Sequence, residues 1–444
     1  MLDCDHEGPA AEAPVCTHLL GATSAVKYVR WYVGAEDERE LLCEPCAAER
    51  EQGKRPGLLR VCKNCHRRIA VDLGSLSGVG GGAPIREQPR PLDPTLRRTP
   101  LPTQFGTLVD VAAIGDGARS LWLLLYQDGV LVRFDADSGA SAQVARVRLT
   151  VEEERQPWSG RVPRPRLHAS RRGDFVAVCR DYGQFGEVLD LRSGKVTISL
   201  DGGAYHNETV PFSFAFAEID GRVVAVHRSS WNRLDLSDPA TGDLLSAREH
   251  PPRKEGDAPP AHGLDYFHGA LYVSPDQRHL LDDGWVWHPV GMPMVWDLDR
   301  WLMDNPWESE DGPSRLDLCV RAYYWDCAMT WIDDRRVVID GLGDDDRSML
   351  PGARIFDITA KPEPEAEGGV RELSSFPGPM GQFFGHRGRL YSADRTGLSV
   401  WDPDQGARVG QLPGFSPTHL HVDANELASV SDGALLRWSL DSAR

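Results

Sequence analysis

The stretch that decides the fold is Gly397-Leu-Ser-Val-Trp401-Asp402-Pro-Asp-Gln-Gly406, in which an apolar run ends in Trp and Asp and then enters a tight polar turn. Such a run, bounded by Gly and Pro, predicts a short β-strand followed by a turn. Self-similar units along a chain predict an array of similar sheets. The signature has seven occurrences: residues 130–135, 186–190, 233–235, 294–297, 353–357, 398–402 and 435–439.

A second apolar run precedes most of these signatures. Examples are residues 174–181 (DFVAVCRD) and 222–227 (RVVAVH). Segments with a helical period are almost absent after residue 105. Short apolar strands in consecutive groups are typical of four-stranded sheets whose two faces are buried by the neighbouring sheets. Such sheets are arranged in a closed ring, which leaves only short strand edges exposed.

With these features, residues 105–440 resemble a WD-repeat β-propeller. Trp296-Asp297 and Trp401-Asp402 are literal WD dipeptides, and the turns after several signatures fit the loop that follows the third strand of a blade. The Gly-His dipeptide expected near the start of each blade is mostly absent. The resemblance implies a mostly β protein, with a seven-bladed β-propeller preceded by a small zinc-stapled N-terminal module.

A propeller needs a device that closes its ring. The last unit contains three strand-like segments, at residues 418–422, 426–431 and 434–440. We predict that residues 95–107, which precede the first unit, supply the missing outer strand of the last one. A three-stranded last unit is the alternative.

Cysteines set the first 65 residues apart, because six of the nine lie there. Two C-x-x-C pairs, Cys43-Glu-Pro-Cys46 and Cys62-Lys-Asn-Cys65, have the spacing of a tetrahedral zinc site. Two C-x-H pairs precede them. The predicted metal ligands are Cys4, His6, Cys16, His18, Cys43, Cys46, Cys62 and Cys65.

Eight donors suffice for two closed, structural zinc ions, and zinc suits soft thiolate ligands. The spacing leaves the pairing open. In a sequential arrangement the first two pairs hold one ion and the last two hold the other. In an interleaved arrangement the first pair joins the third and the second joins the fourth. The module resembles treble-clef, ribbon-like or cross-brace zinc modules, and the ions would stabilise a segment of few large apolar side chains.

The composition predicts the domain boundaries and the cellular compartment. Residues 74–104 are rich in Gly and Pro, which predicts a linker between a module at 1–73 and a propeller at 105–444. A net charge of −17 disfavours sequence-independent binding to polyanions, which relies on cations. The first residues lack the pattern of a secretory signal, and no apolar run is long enough to span a bilayer. With metal-type cysteines, these features predict a cytoplasmic protein without membrane association.

The function predicted from these features is a noncatalytic scaffold or adaptor for protein partners, with no catalytic or cofactor-binding residues. The propeller serves as a docking platform and the zinc module as a second binding element. One alternative is nucleic-acid binding through the six basic residues between 54 and 68. Another is an enzyme whose histidines and carboxylates converge at the propeller channel. The pattern leaves open the oligomeric state and whether the channel holds a small molecule.

Tryptophans concentrate in one part of the large domain. Residues 285–331 contain seven of the 13 tryptophans. The alternation in Trp285-Val-Trp287 predicts strand residues that face a core. An exposed aromatic surface that binds a partner is the alternative, since Trp side chains dominate interface energetics.

Overall fold

The regular structure of the chain is mostly β-strand, as the sequence predicts. The computed structural model describes residues 12–20, 28–33, 38–62, 89–115, 117, 119–148, 161–249, 262–346, 349–360, 370 and 372–443. The helices within these ranges are short: α1 spans Glu44–Glu51, α2 spans Leu298–Met303 and α3 spans Glu308–Asp311. Single 3-10 turns occupy Thr17–Leu19, Thr103–Phe105, Asn207–Thr209 and Leu440–Ala443.

The N-terminal sheet has four strands in the order β2-β3-β1-β4. Its strands are β1 (Glu12–Cys16), β2 (Tyr28–Val33), β3 (Glu38–Cys43) and β4 (Leu58–Cys62). The central strand β1 runs parallel to β3 and antiparallel to β4. Val15, Leu41 and Leu42 are fully buried in a small core. The parallel pair brings the carboxyl ends of β1 and β3 to the same edge of the sheet.

Two short strands, β5 (Arg90–Pro91) and β6 (Arg97–Pro100), lead into seven further sheets in the described part of the chain. We number these sheets 1 to 7 in chain order. Sheet 1 contains β7 (Leu108–Ile114), β8 (Leu121–Tyr126), β9 (Val130–Asp135) and β10 (Ser141–Arg146). Sheet 2 contains β11 (Arg164–Ala169), β12 (Phe175–Asp181), β13 (Phe185–Asp190) and β14 (Lys195–Asp201).

The middle sheets vary more in their strands. Sheet 3 contains β15 (Phe214–Ile219), β16 (Arg222–Ser230) and β17 (Arg233–Ser237). Sheet 4 contains β18 (Phe267–Val273), β19 (His279–Val286), β20 (Val290–Gly291), β21 (Met294–Asp297), β22 (Leu316–Asp317) and β23 (Arg321–Ala322). Sheet 5 contains β24 (Met329–Trp331), β25 (Arg336–Leu342), β26 (Leu350–Asp357) and β27 (Glu372–Pro377).

The last two sheets recruit the two short strands that precede sheet 1. Sheet 6 contains β28 (Gln382–His386), β29 (Arg389–Asp394), β30 (Gly397–Asp402), β31 (Ala407–Pro413) and β5. Sheet 7 contains β32 (His419–His421), β33 (Glu426–Ser431), β34 (Ala434–Ser439) and β6. Each of the seven sequence signatures lies in a strand of its own sheet, so that part of the repeat prediction is confirmed.

The first strands of the seven sheets form a ring. Contacts join β7 to β11, β11 to β15, β15 to β18, β18 to β24 and β24 to β28, and β32 contacts β7. Between β28 and β32, the side-chain amide of Gln382 donates a hydrogen bond of 3.0 Å to the carbonyl of Thr418. Because the first strands surround an axis, each sheet points outward and packs its faces against its neighbours.

Strand β6 closes the ring. It pairs antiparallel with β34, with Arg97 opposite Arg437 and Thr99 opposite Leu435. The prediction that residues between 95 and 107 complete the last sheet is therefore confirmed. Strand β5 adds a fifth strand to sheet 6 by parallel pairing with β31, which the sequence analysis did not anticipate. Within the predicted linker, the described residues from 89 onward therefore contribute strands to sheets 6 and 7. The domain boundaries themselves stay a prediction.

A buried charge network joins sheet 7 to sheet 1. The guanidinium of Arg437 lies 2.8 Å from the Asp137 carboxylate and 3.4 Å from that of Glu426. It also donates to the carbonyl of Ala136 at 2.8 Å. The hydroxyl of Ser120 donates to Glu426 at 2.8 Å. Arg437 and Glu426 are nearly inaccessible, so the network forms a desolvated seam at the point where the ring closes.

We predict that Arg437→Met destabilises the protein by about 3 kcal/mol, because it leaves the buried Glu426 carboxylate without its buried charge partner and with only the exposed Arg97, at 3.3 Å, to pair with. Urea unfolding measures the change in free energy. Arg192→Met, which removes an exposed pair with Asp174 at 2.9 Å, is the control and should leave stability nearly unchanged. Equal effects of the two variants would contradict a role for the seam.

Candidate functional site

The N-terminal sheet assembles a cluster of three thiols and one imidazole. Strands β1 and β3 end at Cys16 and Cys43, which lie side by side because the two strands are parallel and Val15 pairs with Leu41. After Cys16 the chain turns through a 3-10 turn that contains His18. After Cys43 it enters α1, whose first turn contains Cys46. Two strand ends and the turns after them therefore converge on one point.

The geometry of this cluster fits a tetrahedral metal ion. One ligand atom from each of Cys16, His18, Cys43 and Cys46 lies within 4.8 Å of all the others. The Nδ1 atom of His18 is 3.2 Å from the Cys46 Sγ and 3.7 Å from the Cys43 Sγ. Tetrahedral zinc with thiolate and imidazole ligands places its donor atoms about 3.5–3.8 Å apart. The four donors are thus close to the required spacing.

The surroundings of the cluster are those of a structural rather than a catalytic site. All three cysteines are buried, and the backbone N–H of Cys43 donates a hydrogen bond to the Cys16 Sγ at 3.3 Å. Burial, a hydrogen bond with Cys43 and the nearby Cys16 raise the pKa of the Cys46 thiol to about 12. A bound metal cation lowers the pKa of the thiols that coordinate it, so that they are held as thiolates. Four protein donors leave no open position for a substrate.

The grouping differs from both pairings that the spacing suggested. It joins the second ligand pair with the third, because β1 lies directly beside β3. Of the other predicted ligands, Cys4, His6 and Cys65 lie outside the described residues. The backbone of Cys62 ends β4 opposite Glu12, whereas Cys16 is opposite Leu58. Cys62 therefore lies at the other end of the sheet from the cluster.

A central cavity of about 690 Å³ opens at one end of the ring. Residues from all seven first strands, and from the turns that follow them, line it. The cavity size is in the usual range for small-ligand sites. Its wall includes the Trp331 ring, and its rim carries both cationic and anionic side chains. Arg171 and Asp423 at the rim pair at 2.6 Å.

Several histidines of the large domain are tied into the structure. In the cavity wall, the Nε2 of His421 lies 3.1 Å from the carbonyl oxygen of Leu121, and its Nδ1 accepts a hydrogen bond from Ala424. Both ring nitrogens of His421 are thus occupied by backbone groups. His268 is buried with Asp282 at 2.7 Å, and His227 is buried against Ser237 at 2.9 Å. These three rings have the environment of packing residues rather than of general bases.

Most of the tryptophans between residues 285 and 331 belong to the core, and the prediction that Trp285 and Trp287 both face it is confirmed for Trp285 and wrong for Trp287. The fully or nearly buried ones are Trp285, Trp296, Trp301 and Trp331. Trp307 and Trp325 are half-buried. Trp287 is 41% exposed and is the exception. The two-residue period of a strand places Trp285 inward, but Trp287 follows the end of β19, where that period no longer applies.

The basic residues near the second C-x-x-C pair are partly described. Lys54, Arg55 and Arg60 are exposed, whereas Lys63, Arg67 and Arg68 lie outside the described residues. None of the described helices combines the length and hydropathy needed to cross a bilayer.

Comparison with known proteins gives matches to many solved structures but none to a sequence family. No protein-family model matches the chain, and no curated protein matches it in sequence. Among solved structures, the chain is similar to one chain in the crystal structure of a mitotic checkpoint complex, at 12% identity and a TM-score of 0.44. The match covers 80% of this chain and 98% of that chain. At this identity and TM-score, the likeness carries no argument about function.

We predict that Cys43→Ser lowers the zinc content of the purified full-length chain, because it removes one of the four clustered donors. Elemental analysis measures the change. Cys319→Ser is the matched control, since Cys319 is a half-buried free cysteine of the large domain. Unchanged zinc in Cys43→Ser, or an equal loss in Cys319→Ser, would contradict a metal site at the cluster.

Proposed function

We propose that this protein is a noncatalytic interaction platform, in which a seven-bladed, WD-repeat-like β-propeller docks a protein partner and a zinc-stapled module binds a second one. The observation that carries the proposal is the ring of sheets around a central cavity. A rigid ring of this kind presents the loops of every sheet on two broad faces, and binding residues concentrate on such loops. The histidine environments described above support a noncatalytic role.

We propose two structural zinc ions in the N-terminal module. One is held by Cys16, His18, Cys43 and Cys46. The remaining donors, Cys4, His6, Cys62 and Cys65, hold the other. The pairing of Cys62 with Glu12 supports this division, since it places the first residue of β1 and the last residue of β4 side by side at one end of the sheet. The reduced thiols that both sites require favour a cytoplasmic location.

The number of ions tests this division. Elemental analysis of the full-length protein should give about two zinc ions per chain, from eight donors in four-coordinate sites. Cys62→Ser and Cys43→Ser should each remove one equivalent and leave the other. A wild-type content of one ion, retained in Cys62→Ser, would confine zinc to the described cluster and overturn the second site.

Affinity purification from the native host tests the platform itself. With the full-length chain as bait, we expect protein partners to be retained in near-stoichiometric amount, because rigid multi-loop faces bind proteins. The chain from residue 89 to 444 is the comparison. It should keep the partner of the propeller and lose the partner of the zinc module. Retention of nucleic acid alone, or of no macromolecule, would contradict the proposal.

A further inference from the structure

An aromatic surface lies at the end of the ring opposite the central cavity. Strand β18 runs between the two ends: Val273 at its carboxyl end lines the cavity, and Phe267 at its amino end packs among aromatic rings. Three loops and two strands, β18 and β19, contribute to the surface. We call it the aromatic patch and define it by Tyr205, His206, Trp231, Phe267, Trp285 and Trp287.

The patch has a buried centre and exposed outer rings. Phe267 is buried and stacks on Trp285 with ring centroids 4.2 Å apart, and it contacts Trp231 at 4.5 Å. The outer rings, Tyr205 and Trp287, are 50% and 41% exposed. Both contact His206, at 4.6 and 5.1 Å. The exposed rings therefore form one continuous surface on a packed base.

Hydrogen bonds fix the loop under the patch. The indole N–H of Trp285 donates to the Thr209 hydroxyl at 3.2 Å, and that of Trp325 donates to the Thr209 carbonyl at 3.1 Å. The Thr209 hydroxyl in turn donates to the carbonyl of His206 at 2.8 Å. Rings held in this way lose little conformational entropy when a partner binds.

The outer rings differ from the inner ones in their polar atoms. Within the described part of the chain, the Tyr205 hydroxyl and the Trp287 indole N–H have no hydrogen-bond partner in the protein, whereas the indole N–H groups of Trp285 and Trp325 do. The faces and polar tips of the outer rings are thus directed to a ligand or to solvent. Trp and Tyr with such tips are the residue types that most often anchor interfaces.

Carboxylates border the patch. Glu208 lies 3.2 Å from the His206 Nδ1. On one side, exposed Asp265 follows Leu264, whose carbonyl accepts a hydrogen bond from Asn232, the neighbour of Trp231. The Glu208 side chain is only 10% exposed and is paired with His206, so on this side the exposed Asp265 supplies the negative charge that attracts a cationic ligand.

A second acidic element borders the other side of the patch. The N–H of Tyr323 donates to the Pro289 carbonyl two residues after Trp287, and the adjacent Ala322 donates to the carbonyl of Asp344 at 2.7 Å. The Asp344 side chain is 83% exposed and pairs with Arg354 at 3.3 Å. Arg354 also pairs with Glu372 at 2.7 Å, so these three side chains together keep a net negative charge. Acidic groups on both sides of an aromatic surface repel phosphate and attract cations, which argues against nucleic acid at this place.

We propose that the aromatic patch is the docking site for a basic segment of a protein partner, in which Lys or Arg side chains lie over the rings of Trp287 and Tyr205 and reach the bordering carboxylates. A cation over the face of Trp or Tyr is attracted by the ring quadrupole, and flanking carboxylates add to this attraction. The inference rests on the proposed role as an interaction platform and names the surface and the chemistry of the partner.

A displayed library of random short peptides, selected on the full-length protein, tests the inference. We expect the selected peptides to be enriched in Lys and Arg relative to the library. Their affinity, measured by fluorescence anisotropy with synthetic copies, should fall about tenfold or more in Trp287→Ala and in Tyr205→Ala. Phe185→Ala, which truncates another exposed aromatic residue, is the control and should bind as the wild type does.

The charge has its own test. Asp265→Asn should weaken the basic peptides several-fold and reduce the dependence of their affinity on salt, since it removes an exposed carboxylate without changing the rings. Selection of acidic or neutral peptides, no selected peptide, or equal binding by Trp287→Ala and the wild type overturns the inference. So does a patch-dependent ligand that proves to be a neutral glycan or a nucleic acid.

Failure of the patch proposal can be distinguished from failure of the proposed platform function. If a co-purified protein partner still binds the Trp287→Ala and Tyr205→Ala variants with wild-type affinity, the platform stands and the patch is not its docking site. Far-ultraviolet circular dichroism and thermal unfolding of each variant confirm that loss of binding is not loss of fold.

Discussion

The pairing of β6 with β34 is the interaction on which the large domain depends. A ring of sheets is stable only when every face is covered, and the last sheet is completed by a strand from the beginning of the domain. Burial of Arg437 between Glu426 and Asp137 adds a charge requirement at the same place. The ring is therefore closed both by backbone hydrogen bonds and by an ion network in which Arg437 and Glu426 are buried.

The repeat could be recognised in the sequence because the strand and turn that define it depend only on neighbouring residues. A strand that ends in an aromatic residue and Asp, followed by a turn, needs only a few adjacent residues, and all seven occurrences form strands. Ring closure by residues 97–100 was also predictable, because the last unit lacked one strand. The fifth strand of sheet 6 was not, since Arg90-Pro91 carries no apolar pattern and pairs through its backbone alone.

The metal ligands show the limit of spacing as a guide. Residue types and intervals predict Cys16, His18, Cys43 and Cys46 as metal ligands, and the structure brings these four together, but the intervals do not say which pairs meet. That depends on strand order, and the parallel contact between β1 and β3 is a nonlocal choice. The aromatic patch was hidden for a similar reason. Its rings come from three loops and from strands β18 and β19, which are far apart in sequence, and of its tryptophans only Trp285 and Trp287 are close enough to form a pattern.

Closure by an early strand also sets the order of events at the ribosome. Thr99 and Arg437, which lie within 3.4 Å of each other in the seam, are 338 residues apart in the chain. At typical synthesis rates the later residue follows the earlier one by about 20–70 s. During that interval six sheets can form side by side, but β6 has no strand to join. The nascent ring thus remains an open arc with two unprotected rims until the final sheet emerges, and its exposure to chaperones and to aggregation is set by the speed of translation.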